Sequence, residues 1–226
     1  MANRRAKIYS SKDLATVANP PGDKPVHIAR TMETLLAREI EGSSWRPNQP
    51  WFYPTALADN KKNFQLGVLH GLRRSLLEYA TRTMRSRSDG TVDRDLQSAL
   101  NLLQYPPNVW LFDVTQGFGA SSESQYRSAL DGLRRFLAKA DGGAEFSELR
   151  ADQLYRFVDA INLDLTAHML ALQDYSNKAS LWDTRADDLF YQTKGAVFVY
   201  AALADAVKHD FADVFAQKRI DDLWSQ

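Results

Sequence analysis

The stretch Asn63-Phe64-Gln65-Leu66-Gly67-Val68-Leu69-His70-Gly71-Leu72-Arg73-Arg74-Ser75-Leu76-Leu77-Glu78-Tyr79 carries the plainest fold signal in the chain. Phe64, Val68, Leu72, Leu76 and Tyr79 recur at three- and four-residue spacing, which is one apolar stripe of an α-helix, while Arg73, Arg74 and Glu78 fall towards solvent. Gly67 and Gly71 stand one turn apart inside that helix, where each costs about 1 kcal/mol relative to Ala. The pair predicts close approach of another backbone or a flat side chain. Beyond Tyr79 come Arg82, Arg85 and Arg87, cations suited to the negative end of a helix dipole, and then a turn at Ser88-Asp89-Gly90.

Working outward, the same periodicity recurs. Ala29, Met32, Leu36 and Ile40 predict a helix over 26–41 that stops at Gly42. Leu96, Leu100 and Leu103 predict another over 92–104, ended by Pro106-Pro107. Ser121 or Ser122 suits the N-cap of a helix that reaches Ala140 and stops at Asp141-Gly142-Gly143. From Arg150 onward Leu154, Val158, Ile161, Leu165, His168 and Leu172 read as a packing seam. A later helix beginning near Thr184 carries Val197, Tyr200, Ala204 and Val207, and a last segment carries Phe211, Val214, Phe215, Leu223 and Trp224. Residues 109–114 have strand composition, but with no second strand pattern to pair with they are expected to be extended only. Arg150-Ala151-Asp152-Gln153-Leu154-Tyr155 echoes Arg185-Ala186-Asp187-Asp188-Leu189-Phe190 as two similar helix starts, without the consensus of a solenoid. The expectation is an all-α multi-helix bundle: residues 1–25 a flexible basic lead-in, broken at Asn19-Pro20-Pro21-Gly22, and 26–226 a single helical domain.

Composition narrows the chemistry. The 226 residues hold 28 Lys+Arg against 28 Asp+Glu and no cysteine. Balanced charge argues against a broad phosphate-neutralising face, so no nucleic-acid partner is expected. Without cysteine there is no disulfide framework, zinc-thiolate site or thiolate catalysis. No apolar run approaches the length of a membrane span. Phosphate-loop, H-E-x-x-H and G-x-S-x-G motifs are absent, and no cofactor and no metal are expected. Gly117-Phe118-Gly119 opens like a dinucleotide fingerprint, but Ser122 occupies the third glycine position. The four histidines, His27, His70, His168 and His209, show no pairing with one another or with a carboxylate at metal-ligand spacing. His168, on the apolar seam, reads as a hydrogen-bonded core residue.

Two segments are candidates for binding. Trp45-Arg46-Pro47-Asn48-Gln49-Pro50-Trp51-Phe52-Tyr53-Pro54 crowds aromatic rings among prolines that forbid a helix interior or a central strand. Either Trp45, Trp51, Phe52 and Tyr53 plug the bundle, or these aromatics line a groove with Asn48, Gln49, Asp59 and Asn60 at its rim. The second is the acidic start of the later helix, with Asp183, Asp187, Asp188 and Tyr191. Its bland reading is capping and dipole complementation; its functional reading is a cation or acid–base site serving a metal-dependent hydrolase.

The same strings, Trp45 to Pro54 with Leu57-Ala58-Asp59-Asn60 and Asn63 to Gly67, resemble a bacterial family catalogued as domain of unknown function 2333. The resemblance continues through Val92-Asp93-Arg94-Asp95-Leu96-Gln97, Trp110-Leu111-Phe112, Ser122 to Arg127, and Thr184 to Tyr191. It implies a helical fold and supplies no activity or catalytic residue. It also implies membrane proximity through an N-terminal anchor that precedes this region in members, an anchor absent from this sequence. The full-length protein would then sit at the periplasmic face of the inner membrane, and otherwise in the cytoplasm. The resulting expectation is a non-enzymatic binding or scaffold domain associated with the cell envelope, engaging a protein partner or a second copy of itself. A subunit of a larger membrane assembly is the alternative.

Overall fold

The computed structural model describes residues 26–49, 59–86, 91–110, 112–113, 117–118, 120–142, 150–178 and 185–224. Among them run α1 (His27–Ile40), α2 (Asp59–Ser86), α3 (Arg94–Leu103), α4 (Ser122–Asp141), α5 (Ala151–Lys178), α6 (Arg185–Asp210), α7 (Ala212–Lys218) and α8 (Asp221–Trp224). The fold is all-α, as the periodicity predicts. One exception is a minimal hairpin, β1 (Phe112–Asp113) antiparallel to β2 (Gly117–Phe118), with Phe112 opposite Phe118. The expected extended segment therefore does pair, with residues so close in sequence and so few that no alternating pattern could announce them.

The centre of the fold is the α2–α6 pair, the most extensive helix contact. The two helices run in the same direction and nearly touch at glycines. A Cβ on Gly67 would collide with the backbone carbonyl of Gln192, and one on Gly195 with that of Phe64. Gly71 faces Val199, whose Cβ would lie 2.9 Å from an added methyl carbon. The glycine pair thus marks a close backbone crossing, and Gly195 supplies the matching gap from the other side. Phe64, Val68, Leu72, Leu76 and Tyr79 are all buried, with Ala196, Val199, Leu203 and Val207 of α6 in the same core cluster.

The remaining helices dock on this pair. α1 packs on α6 and α4, and α3 packs on α4. Val26 offers no side-chain cap to α1. The cap comes instead from Asp210 at the end of α6, whose buried carboxylate accepts from His27 N (2.8 Å) and Ile28 N (2.9 Å) and meets His27 Nδ1 at 2.9 Å. An anionic oxygen at the positive end of the helix satisfies orphan N–H groups that the local sequence leaves open. Two other helices are capped locally: Ser121, one of the two expected caps, accepts from Ser124 N, and Asp93, inside the expected 92–104 helix, instead caps it by accepting from Asp95 N and Leu96 N. Arg73, expected at the surface, instead turns inward and donates to Leu103 O (2.6 Å) and Tyr105 O (2.7 Å). It thereby closes the end of α3 with a charge-assisted bond.

α5 is the least secured long helix. Leu154, Phe157 and Ala160 are buried in its first turns, but among the described side chains beyond Ala160 none is fully buried. The expected seam holds at Leu154, Ile161 and Leu165, which are buried or packed against the core, and departs at one position. Val158 lies at the surface and Phe157 takes its place inside.

Candidate functional site

The carboxylate of Asp164, halfway along α5, sits where α5 crosses α2 and α6. Its Oδ1 lies 2.8 Å from His70 Nε2 on α2, and its Oδ2 accepts a 2.6 Å bond from the Tyr200 hydroxyl on α6. One turn later on the same face, His168 Nε2 approaches Oδ2 at 3.5 Å. The His168 ring is anchored on its far side, where Nδ1 meets Thr193 Oγ1 at 3.2 Å. The rings of His70 and His168 stand edge to face, centroids 5.3 Å apart. One ligand atom from each of His70, Asp164 and His168 lies within 4.8 Å of the others.

Electrostatics sharpen this arrangement. Burial works to raise the Asp164 carboxyl, but the Tyr200 hydroxyl and the two histidines outweigh it and hold the group below the usual aspartate range. Burial pushes the His168 imidazole down, against the pull of Asp164 and with the help of His70. Burial, then the bond to Asp164, pushes the Tyr200 phenol well up. At neutral pH the site is thus a carboxylate beside an uncharged His168 and a phenol that keeps its proton.

This cluster corrects the sequence expectation that no histidine pairs with a histidine or carboxylate at ligand spacing. Asp164 and His168 are four apart and share a helical face, a signal present in the sequence. His70 joins them only through the tertiary crossing, which no spacing within one helix reveals.

The residues singled out from sequence fall elsewhere. Trp45 is 2 % exposed, donates through Nε1 to Pro107 O (2.9 Å) and stands edge-on to Tyr126. Asn48 is also buried and donates to Val109 O at 3.2 Å. The backbone beside Trp45 is held by Gln65 of α2, fully buried, which accepts from Arg46 N (2.9 Å) and donates to Glu39 Oε2 (3.0 Å). Trp45 and Asn48 therefore face the interior. Trp51 and Tyr53 lie outside the described residues, as do Asp183 and the side chain of Asp59; Asn60 is half-buried in the first turn of α2. On another face of α2, Asn63 donates to Asp188 Oδ1 (2.6 Å) and accepts from Gln192 Nε2 (3.0 Å). Asp187 is exposed, and Tyr191 stacks edge-on with Phe190. Asp188 thus ties α6 to α2, while His70 and His168 gather on Asp164.

A second feature lies on the opposite side of α5. The outer face of α5 presents Tyr155, Val158, Leu163, Met169 and Leu170, four of them more than half exposed. Phe190 and Val197 are exposed on the side of α6 that also carries Thr193 and Tyr200. Among the described residues no helix is long and apolar enough to cross a membrane.

A family model described as "Uncharacterized protein conserved in bacteria (DUF2333)" matches residues 24–181. The match includes His70, Asp164 and His168 and ends before α6. No curated protein and no solved structure matches the chain.

Proposed function

We propose that this chain, which belongs to the bacterial family of conserved uncharacterized proteins DUF2333, is a non-enzymatic helical scaffold domain that pairs with a second copy of itself through the outer face of α5. The observation that carries this reading is the exposed row Tyr155, Val158, Leu163, Met169 and Leu170. Solvent-facing apolar side chains gathered on one helix face favour a protein interface. Asp159, Asn162, Thr166 and Gln173 are exposed among them, a mixture that suits a protein surface better than hydrocarbon.

The order of the row favours a second copy. Val158 and Met169 lie at nearly equal distances on either side of Leu163, and so do Tyr155 and Leu170. Two antiparallel copies of α5 related by a two-fold axis near Leu163 would place apolar against apolar along the whole row, the self-complementary pattern that such an interface requires. The flank of α6 with Phe190 and Val197 would widen it. Envelope association rests on the family resemblance, and membrane fractionation of the full-length gene product tests it.

The cysteine-free chain makes the pairing easy to probe. Leu163→Cys introduces a single thiol at the dyad, and mild oxidation is expected to yield a disulfide-linked dimer. Asp213→Cys, exposed on α7, is the control. Cross-linking of Leu163→Cys no faster than of Asp213→Cys would overturn the pairing.

A further inference from the structure

We propose that His70, Asp164 and His168 form a binding site for one divalent transition-metal ion, zinc being the representative, and that the ion clamps α5 onto α2. This goes beyond the scaffold reading and does not depend on it. Two imidazoles and one carboxylate form an N₂O donor set of the kind that binds zinc and its first-row neighbours, whereas magnesium and calcium prefer oxygen alone. The three donor atoms already lie within 4.8 Å of one another, so only small side-chain adjustments separate them from a shared ion.

The surroundings are those of a supported ligand set. The Tyr200 hydroxyl holds Asp164 Oδ2, and Thr193 Oγ1 holds His168 Nδ1. In the tautomer where Nδ1 donates to Thr193, the Nε2 lone pair of His168 points to the Asp164 side, the orientation a ligand needs. In that same tautomer a lone pair faces a carboxylate oxygen at 3.5 Å with no proton between them, an opposition that a cation would relieve. Asp164 and His168 are largely enclosed while the His70 side chain is half exposed. An ion held there would keep water-accessible positions, unlike a closed four-ligand structural site.

The position suits a clamp. Among the described side chains of α5 beyond Ala160 none is fully buried, so hydrophobic burial secures that stretch weakly. Asp164 and His168 lie within it, and His70 belongs to the firmly packed α2. An ion shared among them would join the two helices where apolar burial is only partial, and binding to the folded state alone raises its stability.

Titration of the purified chain with Co²⁺, followed by its visible absorption and then by Zn²⁺ displacement, tests the assignment. One ion per chain is expected, with a rise in melting temperature on addition of Zn²⁺. His70→Ala, an exposed position that leaves the core intact, and Asp164→Asn should each weaken binding at least about 10-fold, since loss of an outer-shell partner alone costs 10–100-fold. Thr193→Val should weaken it about 10-fold at unchanged stoichiometry. His209→Ala, remote from the cluster, should bind as wild type. Circular dichroism of each variant separates loss of the site from loss of the fold. No Co²⁺ spectrum, or binding unchanged in both His70→Ala and Asp164→Asn, would show that the cluster is a hydrogen-bonded staple only and overturn the proposal.

Discussion

At the scale of the residue, Trp45 shows how a surface candidate becomes a structural one. Its indole is enclosed, its N–H is taken by Pro107 O, and its ring meets Tyr126, whose phenol is pushed up to about 12 by burial. Trp45→Ala should therefore destabilise the chain by about 3–5 kcal/mol, the range for removing a fully buried large aromatic side chain. Urea denaturation measures it; a loss below about 1 kcal/mol would mean that the surrounding residues do not depend on the ring. The sequence could state that so many aromatics near prolines must pack against something. It could not say whether a groove or the core receives them, because the acceptor at Pro107 and the ring of Tyr126 come from other parts of the chain. Asp210 teaches the same lesson from the other side. A carboxylate near the C-terminal end of α6 would ordinarily oppose the helix dipole, and only its reach to His27 N and Ile28 N explains it.

At the scale of the element, periodicity located every long helix, and local chemistry located most of their ends. Ser121 is a cap legible from type and position alone, whereas Asp93 caps a helix that starts two residues later than its periodicity suggests. The double glycine in α2 announced a close neighbour, and its identity waited on Gly195 in α6. Gly67→Ala and Gly195→Ala should each destabilise by about 1–3 kcal/mol or more, because the added methyl meets backbone that cannot swing aside. Gly142→Ala, at the solvent-exposed end of α4, should cost far less. Equal melting temperatures for all three would remove the close crossing from the account. The seam of α5 departs from expectation only at Val158, because Phe157 stands beside it on the helix and the larger ring takes the interior.

The α3–α4 contact carries a pH signature. The Lys139 ammonium and the Arg135 guanidinium, both bonded to Asp95, hold its carboxyl below the usual range. A carboxylate depressed in the folded state adds stability above its unfolded pKa and loses it as pH falls through the folded value. The melting-temperature advantage of wild type over Asp95→Asn should be complete near neutrality. It should shrink once the pH drops below about 4, the ordinary aspartate range. An advantage constant down to strongly acid pH would assign the effect to something other than this ionisation.

At the scale of the molecule, opposite charges are spread through local ion pairs. Arg134 of α4 reaches Glu33 and Glu41 across the α1 side, and Arg30 of α1 meets Asp141. The balanced composition therefore reflects charges that meet across helix boundaries. What the composition could not foretell is the uneven distribution of burial: a tight α2–α6 centre and a fifth helix that keeps an apolar row outside. Amphipathic spacing alone does not reveal such a row, since α5 carries apolar residues on both faces and only packing decides which face is covered.

Sedimentation equilibrium over a wide range of protein concentration bears most directly on the self-pairing of α5. The wild-type chain is expected to approach twice its chain mass as concentration rises. Leu163→Arg, folded by circular dichroism, is expected to stay at the chain mass throughout. A wild-type chain that keeps the monomer mass at every concentration, or a Leu163→Arg variant that dimerises as wild type does, would contradict the self-pairing.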